Sequence, residues 1–227
     1  MRTPMSTCLA CNNAPYGFRK GRWCGKHRQA MRTNGHPLQF AIRQGELTPY
    51  IKEVQQRRRS TPAARIWSLL DARWRDLAAD CKSRLDDDEP GIARSRWQRE
   101  ADRALFVLAT EADPGKVVDV ILALFLMRWR DPRRFQSDRA FSFQLARCTR
   151  RLAPSVYRSW RSPRTGRLST HMANLHQRAA EIVASRLLSN FGVAGMGLVK
   201  VVEADERRKR EQATALVAAV GELVDGS

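Results

Sequence analysis

Past residue 60 the apolar positions recur with a helical period, and the breaks between the periodic stretches carry helix-start signals. In "TPAARIWSLLDARWRDLAADCKSRL", Ile66, Leu69, Leu70, Trp74, Leu77, Cys81 and Leu85 keep a 3.6-residue spacing. Thr61 stands as cap and Pro62 at the first helical position. The acidic "DDDEPG" ends that helix. A second runs from about Ile92 to Ala112, with Trp97, Ala101, Ala104, Leu105 and Leu108 on one stripe. Asp113-Pro114 starts a third, apolar nearly all round through Val117, Val120, Ile121, Leu124 and Phe125, which predicts the central core element. Asp131-Pro132 starts a fourth, carrying Phe135, Phe141, Leu145 and Cys148. A fifth is expected over about Ser169 to Phe191, an interruption at "FGVAGMG", and a last, charged helix from about Val202 to Leu223. No alternating strand pattern of comparable strength appears.

The first 40 residues differ: they are turn-rich, with one short basic helix through "GKHRQAMRT" stopped by Asn34-Gly35 and Pro37 beyond. Residues 41–60 read as a basic linker ending in Arg57, Arg58 and Arg59. The expected organisation is mainly α: a small N-terminal zinc-binding module over 1–40, that linker, and an α-helical domain of about six helices over 61–227.

Composition changes this picture little; charge changes it a great deal. Of 227 residues 43% are hydrophobic, enough to argue against wholesale disorder. The best apolar run, Val117 to Met127, is too short for a bilayer and the N-terminus lacks a signal-peptide core, so a cytoplasmic protein without membrane contact is the expectation. Lys and Arg total 41 against 23 acidic side chains, a net charge of +18. The excess sits in two blocks, residues 1–60 and 114–168, each at net +10, while 61–113 carry −2 and 169–227 are neutral. Two such blocks suggest polyanion-facing surfaces. Only seven of the 41 are Lys; Arg suits bidentate contact with phosphate or guanine. A GC-rich coding genome would give the same Arg bias, but not the clustering.

Three of the five cysteines lie within seventeen residues, and a histidine completes Cys-x2-Cys, twelve residues, Cys-x2-His: Cys8, Cys11, Cys24 and His27. Zinc takes thiolate and imidazole tetrahedrally, and two paired ligands on each of two turns close a four-ligand structural site. So small a segment lacks a core of its own and would fold on its metal. Cys81 and Cys148 fall on apolar stripes and read as packing. The stretch "GRWCGKHRQAMRTNGHPLQF", with the Cys pair ahead of it, resembles the short zinc-binding segment of phage and mobile-element proteins that is often found ahead of an HNH endonuclease module. Gly21, Cys24, His27, Arg28, Arg32, Gly35 and Pro37 match that outline. The resemblance covers about 33 residues and implies the same four metal ligands, with a DNA-facing helix after them. It departs from the family where catalysis would lie. Beyond residue 40 only His171 and His176 remain, in "STHMANLHQ", read here as helical with the rings pointing about 140° apart.

Other chemistry is thin. "DDDE" reads as a solvated turn, "GVAGMG" lacks the context of a phosphate loop, and no nucleophile is paired with a base. The expectation is no enzyme. The nucleic-acid contacts expected are Arg19, Lys20, Arg22, Lys26, Arg28 and Arg32 in the zinc module, Arg57, Arg58 and Arg59 in the linker, and Arg150, Arg151, Arg158, Arg161, Arg164 and Arg167 on a helix end and an exposed loop. Tyr157 and Trp160, interleaved there, are expected in the core more than on the surface. These signals read as a non-enzymatic zinc protein binding nucleic acid, DNA in preference to RNA. The alternative is a protein-interaction adaptor or inhibitor gripping a host machine, or self-association through the C-terminal helix. A degenerate HNH-type nuclease comes third.

Overall fold

The computed structural model describes residues 7–13, 22–86 and 94–225, with side chains to residue 217. Among these the chain forms seven α-helices and one two-stranded antiparallel sheet: α1 Gly25–Asn34, α2 Gln44–Ser60, α3 Arg65–Asp86, α4 Arg96–Glu111, α5 Pro114–Arg130, α6 Asp138–Arg150, β1 Tyr157–Arg161, β2 Leu168–Met172 and α7 Gln177–Asp225. A mainly α chain behind an N-terminal Cys/His cluster is what the pattern predicts.

The core is built around α5. Asp113 caps it, its carboxylate accepting from the Lys116 N–H at 3.0 Å, and Pro114 occupies the first turn, where no N–H is needed. Every residue from Val117 to Met127 is buried, because α2, α3, α6 and α7 pack around this helix. Each buried Val, Leu, Ile or Phe there contributes about 1.5–3 kcal/mol before entropy is counted. Asp119, alone polar in that run, faces Arg58 at 3.0 Å. In α3 the buried stripe is Trp67, Leu70, Trp74, Leu77 and Cys81, with Ile66 and Leu69 left outside. The stripe is therefore rotated from the expected one, and Trp67 replaces its two flanking residues.

Five segments depart from the sequence reading, the first being the start of α3: Thr61 closes α2, and α3 begins at Arg65 rather than at Pro62. Residues 44–60 are not a linker but α2, seated on α5 through Leu47 and Val54. The fourth helix does not start at Asp131: Pro132–Arg134 make one 3-10 turn, and α6 begins after Ser137, whose hydroxyl accepts from the Ala140 N–H. Residues 157–172 form a hairpin rather than a helix end and loop, so "STHM" is strand. Finally, "FGVAGMG" does not interrupt anything, and α7 runs unbroken for 49 residues. Burial of Phe191, Val199 and Val202 on either side outweighs the cost of about 1 kcal/mol per interior glycine. Gly195 has a positive reason to be there: a Cβ would lie 2.4 Å from the Phe125 ring, so only glycine lets α7 cross α5 at this distance.

By length and composition one window of α7, within Gln177–Val217, is apolar enough to cross a bilayer. The core helix of a soluble protein passes the same test, and 33% of that window is packed inside the protein.

Candidate metal centre and basic surface

Two local structures bring the four ligands together. The first is a tight turn in which the Cys8 carbonyl accepts from the Cys11 N–H at 3.3 Å and the Asn12 N–H at 2.8 Å, with Asn12 in the left-handed region at φ 55°. The second is the first turn of α1, where Cys24 is the N-cap residue and His27 follows three positions later. A backbone bond from the Leu9 N–H to the Arg22 carbonyl, 3.1 Å, ties the two together. The ligand atoms of Cys8, Cys11, Cys24 and His27 all lie within 4.8 Å of one another. Cys11 and Cys24 sulphurs are 3.8 Å apart, and His27 Nδ1 is 3.4 Å from Cys8 Sγ and 3.2 Å from Cys24 Sγ.

A tetrahedral ion with metal–sulphur bonds of about 2.3 Å and metal–nitrogen bonds of about 2.1 Å requires edges of about 3.8 Å between sulphurs and about 3.6 Å between sulphur and nitrogen. The Cys11–Cys24 edge matches the first, the two edges from His27 to Cys8 and Cys24 fall slightly inside the second, and the rest lie within 4.8 Å. The cysteines are free thiols, so no disulfide competes for the same sulphurs. Burial pushes the Cys8 thiol up, but the backbone around Cys24, Ala10 and Cys11 and the His27 ring outweigh it and bring it down to about 6. At Cys11 the Asn13 backbone lowers the thiol, while desolvation and the Cys8 and Cys24 sulphurs win and raise it. Crowded thiols that resist joint ionisation are the state a bound cation relieves. The four residues can hold a metal ion.

The metal segment is fastened to the helical body rather than tethered. Gly35 ends α1 in the left-handed conformation, φ 80°, with its N–H bonded to the Met31 carbonyl. A Cβ on it would lie 2.8 Å from the Arg139 carbonyl and 2.9 Å from the Phe143 ring, both on α6. Arg139 Nη1 in turn donates to the Gly35 carbonyl at 2.9 Å. Buried Gln144 Oε1 accepts from the Ile42 N–H at 2.9 Å, and buried Gln39 Oε1 from the Gln136 N–H at 3.0 Å.

The basic residues divide into two populations. Arg57 bonds Asp205 at 2.9 Å, and Arg58 bonds Asp71 and Asp119 while its guanidinium lies over Trp67. Both guanidinium groups are thus engaged by carboxylates of the protein itself. Arg59 is exposed beside them. Arg150, at the end of α6, is 9% exposed. Arg22, Lys26 and Arg32 are exposed and Arg28 is half-buried around α1; Arg19 and Lys20 lie outside the described residues.

The second basic block is a ribbon. Tyr157 pairs with Met172, Arg158 with His171, Ser159 with Thr170, Trp160 with Ser169 and Arg161 with Leu168. The Ser159 and Thr170 hydroxyls are 3.1 Å apart across it, and Gly166 closes the tip at φ 65°. Arg158, Arg161, Arg164 and Arg167 are exposed, and among the described residues no carboxylate lies within ion-pair distance of them. Trp160 is 54% and Tyr157 42% exposed, so neither aromatic is in the core. Both faces of the ribbon are open, which is why its sequence carries no apolar alternation. The signal that could have found it is a Pro- and Gly-bearing turn, "SPRTGR", between segments rich in Ser, Thr and aromatics.

The two late histidines do not form one site. His171 is exposed on β2, whereas His176 stacks on Trp97 with ring centroids 3.5 Å apart and precedes α7. Cys81 and Cys148 are buried as expected, and burial pushes the Cys148 thiol up to about 11, a chemically quiet state. No protein-family model, curated protein or solved structure matches this chain.

Proposed function

We propose that this chain is a non-enzymatic zinc protein that binds nucleic acid, duplex DNA in preference to RNA. The observation that carries the reading is the ribbon: four exposed arginines without counter-charges among the described residues, with Trp160 and Tyr157 open to solvent beside them. A two-stranded ribbon fits the major groove of B-DNA, whereas the major groove of A-form RNA is too deep and narrow for side chains to read. Three thiolates and one imidazole gathered within 4.8 Å of one another suit zinc, and with all four positions filled by protein the ion would be structural. The metal would fix α1, whose Lys26, Arg28 and Arg32 add positive charge beside α6. A regulatory or accessory role in a phage or mobile element follows from the resemblance of the metal segment, and free thiols suit a reducing cytoplasm.

The test is titration of labelled duplex DNA, single-stranded DNA and RNA over a range of salt. On duplex DNA log affinity falls with log salt by about 0.9 per phosphate neutralised. Changing Arg158, Arg161, Arg164 and Arg167 together to Gln should flatten that slope by about 3 to 4. No binding near physiological salt would overturn the reading.

A second reading rests on α7, where Val193, Met196, Val201, Leu216 and Val217 are exposed. They favour a protein partner or self-association through this helix, which light scattering across a concentration series would reveal as a rising mass.

A further inference from the structure

Three parts of the chain meet around a small cavity: the last turn of α1 (Arg32, Thr33), the last turns of α6 (Arg147, Arg150) and the segment joining β2 to α7 (Ala173, Asn174). Its volume is about 20 Å3. A single water needs about 10–15 Å3 on that scale, so the space admits one oxygen atom, at most two, of a group that stands at its mouth.

The unusual feature is its charge. Arg150 is 9% exposed and Arg147 half-buried, and the Nε of each is buried without a hydrogen-bond partner. Arg150 makes one long bond, 3.4 Å, to the Ala173 carbonyl. No acidic side chain lines the cavity and, among the described residues, none is within ion-pair distance of either arginine. Glu100 supplies a negative field at Arg150 from outside the cavity lining, and its carboxylate also accepts from the His176 N–H at 2.9 Å. Burial lowers the proton affinity of both guanidinium groups; Arg147 lowers that of Arg150 further, and Arg151 that of Arg147. An arginine does not escape by losing its proton. Nor do these two serve to cap α6, since the Thr149 and Arg150 carbonyls already accept from the Leu152 and Ala153 N–H groups. Elsewhere in this protein half-buried guanidinium groups meet carboxylates, as Arg58 does with Asp119 and Arg186 with Asp102. Here two like charges are held side by side with no carboxylate in the cavity lining, and the field of Glu100 reaches Arg150 only from beyond it.

We propose that Arg147 and Arg150, with Arg32 at the rim, form a seat for one phosphate group at the junction of the metal-held helix, α6 and the ribbon. The free Nε–H groups and the fork geometry of arginine match tetrahedral oxyanion oxygens. The ligand is either inorganic phosphate or a backbone phosphodiester. In the second form the seat rests on the nucleic-acid reading and joins the two basic blocks into one surface.

The experiment measures thermal stability of the full chain in inorganic phosphate against chloride at matched ionic strength, for wild type, Arg147→Met, Arg150→Met and Arg164→Met, and the salt slope on duplex DNA for the same four. Phosphate stabilises folded proteins generally by exclusion, so the readout is the increment of wild type over the Arg147 and Arg150 variants. The expected increment saturates and reaches about 3–6 °C at ten times the dissociation constant. Arg164→Met, out on the turn, keeps it. For the phosphodiester, Arg150→Met should lower the salt slope by about 0.9. A phosphate increment without any duplex binding leaves the seat standing and removes the nucleic-acid reading. A changed slope without an increment assigns the seat to the phosphodiester. Duplex binding with no increment, and an unchanged slope in both variants, overturns the seat and spares the nucleic-acid reading. Arg147→Met provides the same comparison if Arg150→Met does not fold.

Discussion

Replacing each of three glycines in α7 by alanine tests whether this helix runs unbroken over α5. Gly192 and Gly197 have nothing within 4 Å of an added Cβ, whereas at Gly195 that atom would lie 2.4, 2.5 and 2.8 Å from three carbons of the Phe125 ring. Carbon atoms in contact sit about 3.5–4.0 Å apart, so the ring or the helix must move by an ångström or more. Phe125 has little freedom to do so: it packs edge-on against Phe141 at 5.3 Å, and Phe141 packs in the same way on Phe135. All three substitutions gain about 1 kcal/mol from helix propensity. Only Gly195→Ala adds an overpacking cost, about 1–3 kcal/mol. The propensity gain cancels in the comparison, so Gly195→Ala should be less stable than either neighbour by about 1–3 kcal/mol. Urea denaturation followed by circular dichroism reads this as a shift in midpoint at constant slope. If Gly195→Ala stabilises the protein as much as Gly192→Ala does, α7 does not cross α5 at this residue, and the interrupted helix expected from "FGVAGMG" is correct.

Two further outcomes follow from other parts of the structure. Chelation, or Cys24→Ser, should release the segment as a unit, because α1 has no buried residue; hydrogen exchange should lose protection over 25–34 while α5 stays protected. At Asp102, 1% exposed, burial raises the carboxyl but Arg186 and Arg84 outweigh it and hold it below the usual carboxylate range. Its contribution is therefore present at neutral pH and lost as pH falls through that lowered value. Asp102→Asn should cost about 3 kcal/mol at pH 7, the low end for a broken buried pair because both arginines reach solvent, and should flatten the acid limb of a stability-against-pH curve. An unchanged acid limb would refute this assignment.

What could be read from the chain was what local chemistry decides. Asp113-Pro114 and Asn34-Gly35 mark helix ends through their own backbone geometry, and the metal ligands repeat at a spacing one turn can satisfy. What could not be read depends on partners far along the sequence. Arg57, Arg58 and Arg59 are indistinguishable in a string, yet Arg57 meets Asp205, 148 residues away, and Arg58 meets Asp119. Helix α2 buries only Leu47 and Val54 over seventeen residues, too sparse a stripe to show a period. The ribbon has neither face in the core, so the two-residue alternation that betrays most strands is missing. The charge clustering in 114–168 was legible; that Arg147 and Arg150 face inward while Arg158 to Arg167 face outward was not.

The 49-residue length of α7 gives the molecule an axis. At 1.5 Å per residue the helix is about 73 Å long, against a radius of gyration of about 17 Å for a compact chain of 227 residues. The stretch from Arg207 onward, exposed as far as its side chains are described, is about 28 Å long. Rotational diffusion and small-angle scattering of this protein should be those of a handle on a compact head. Whatever grasps the end of the handle is held about 70 Å from the ribbon, which joins the other end of α7.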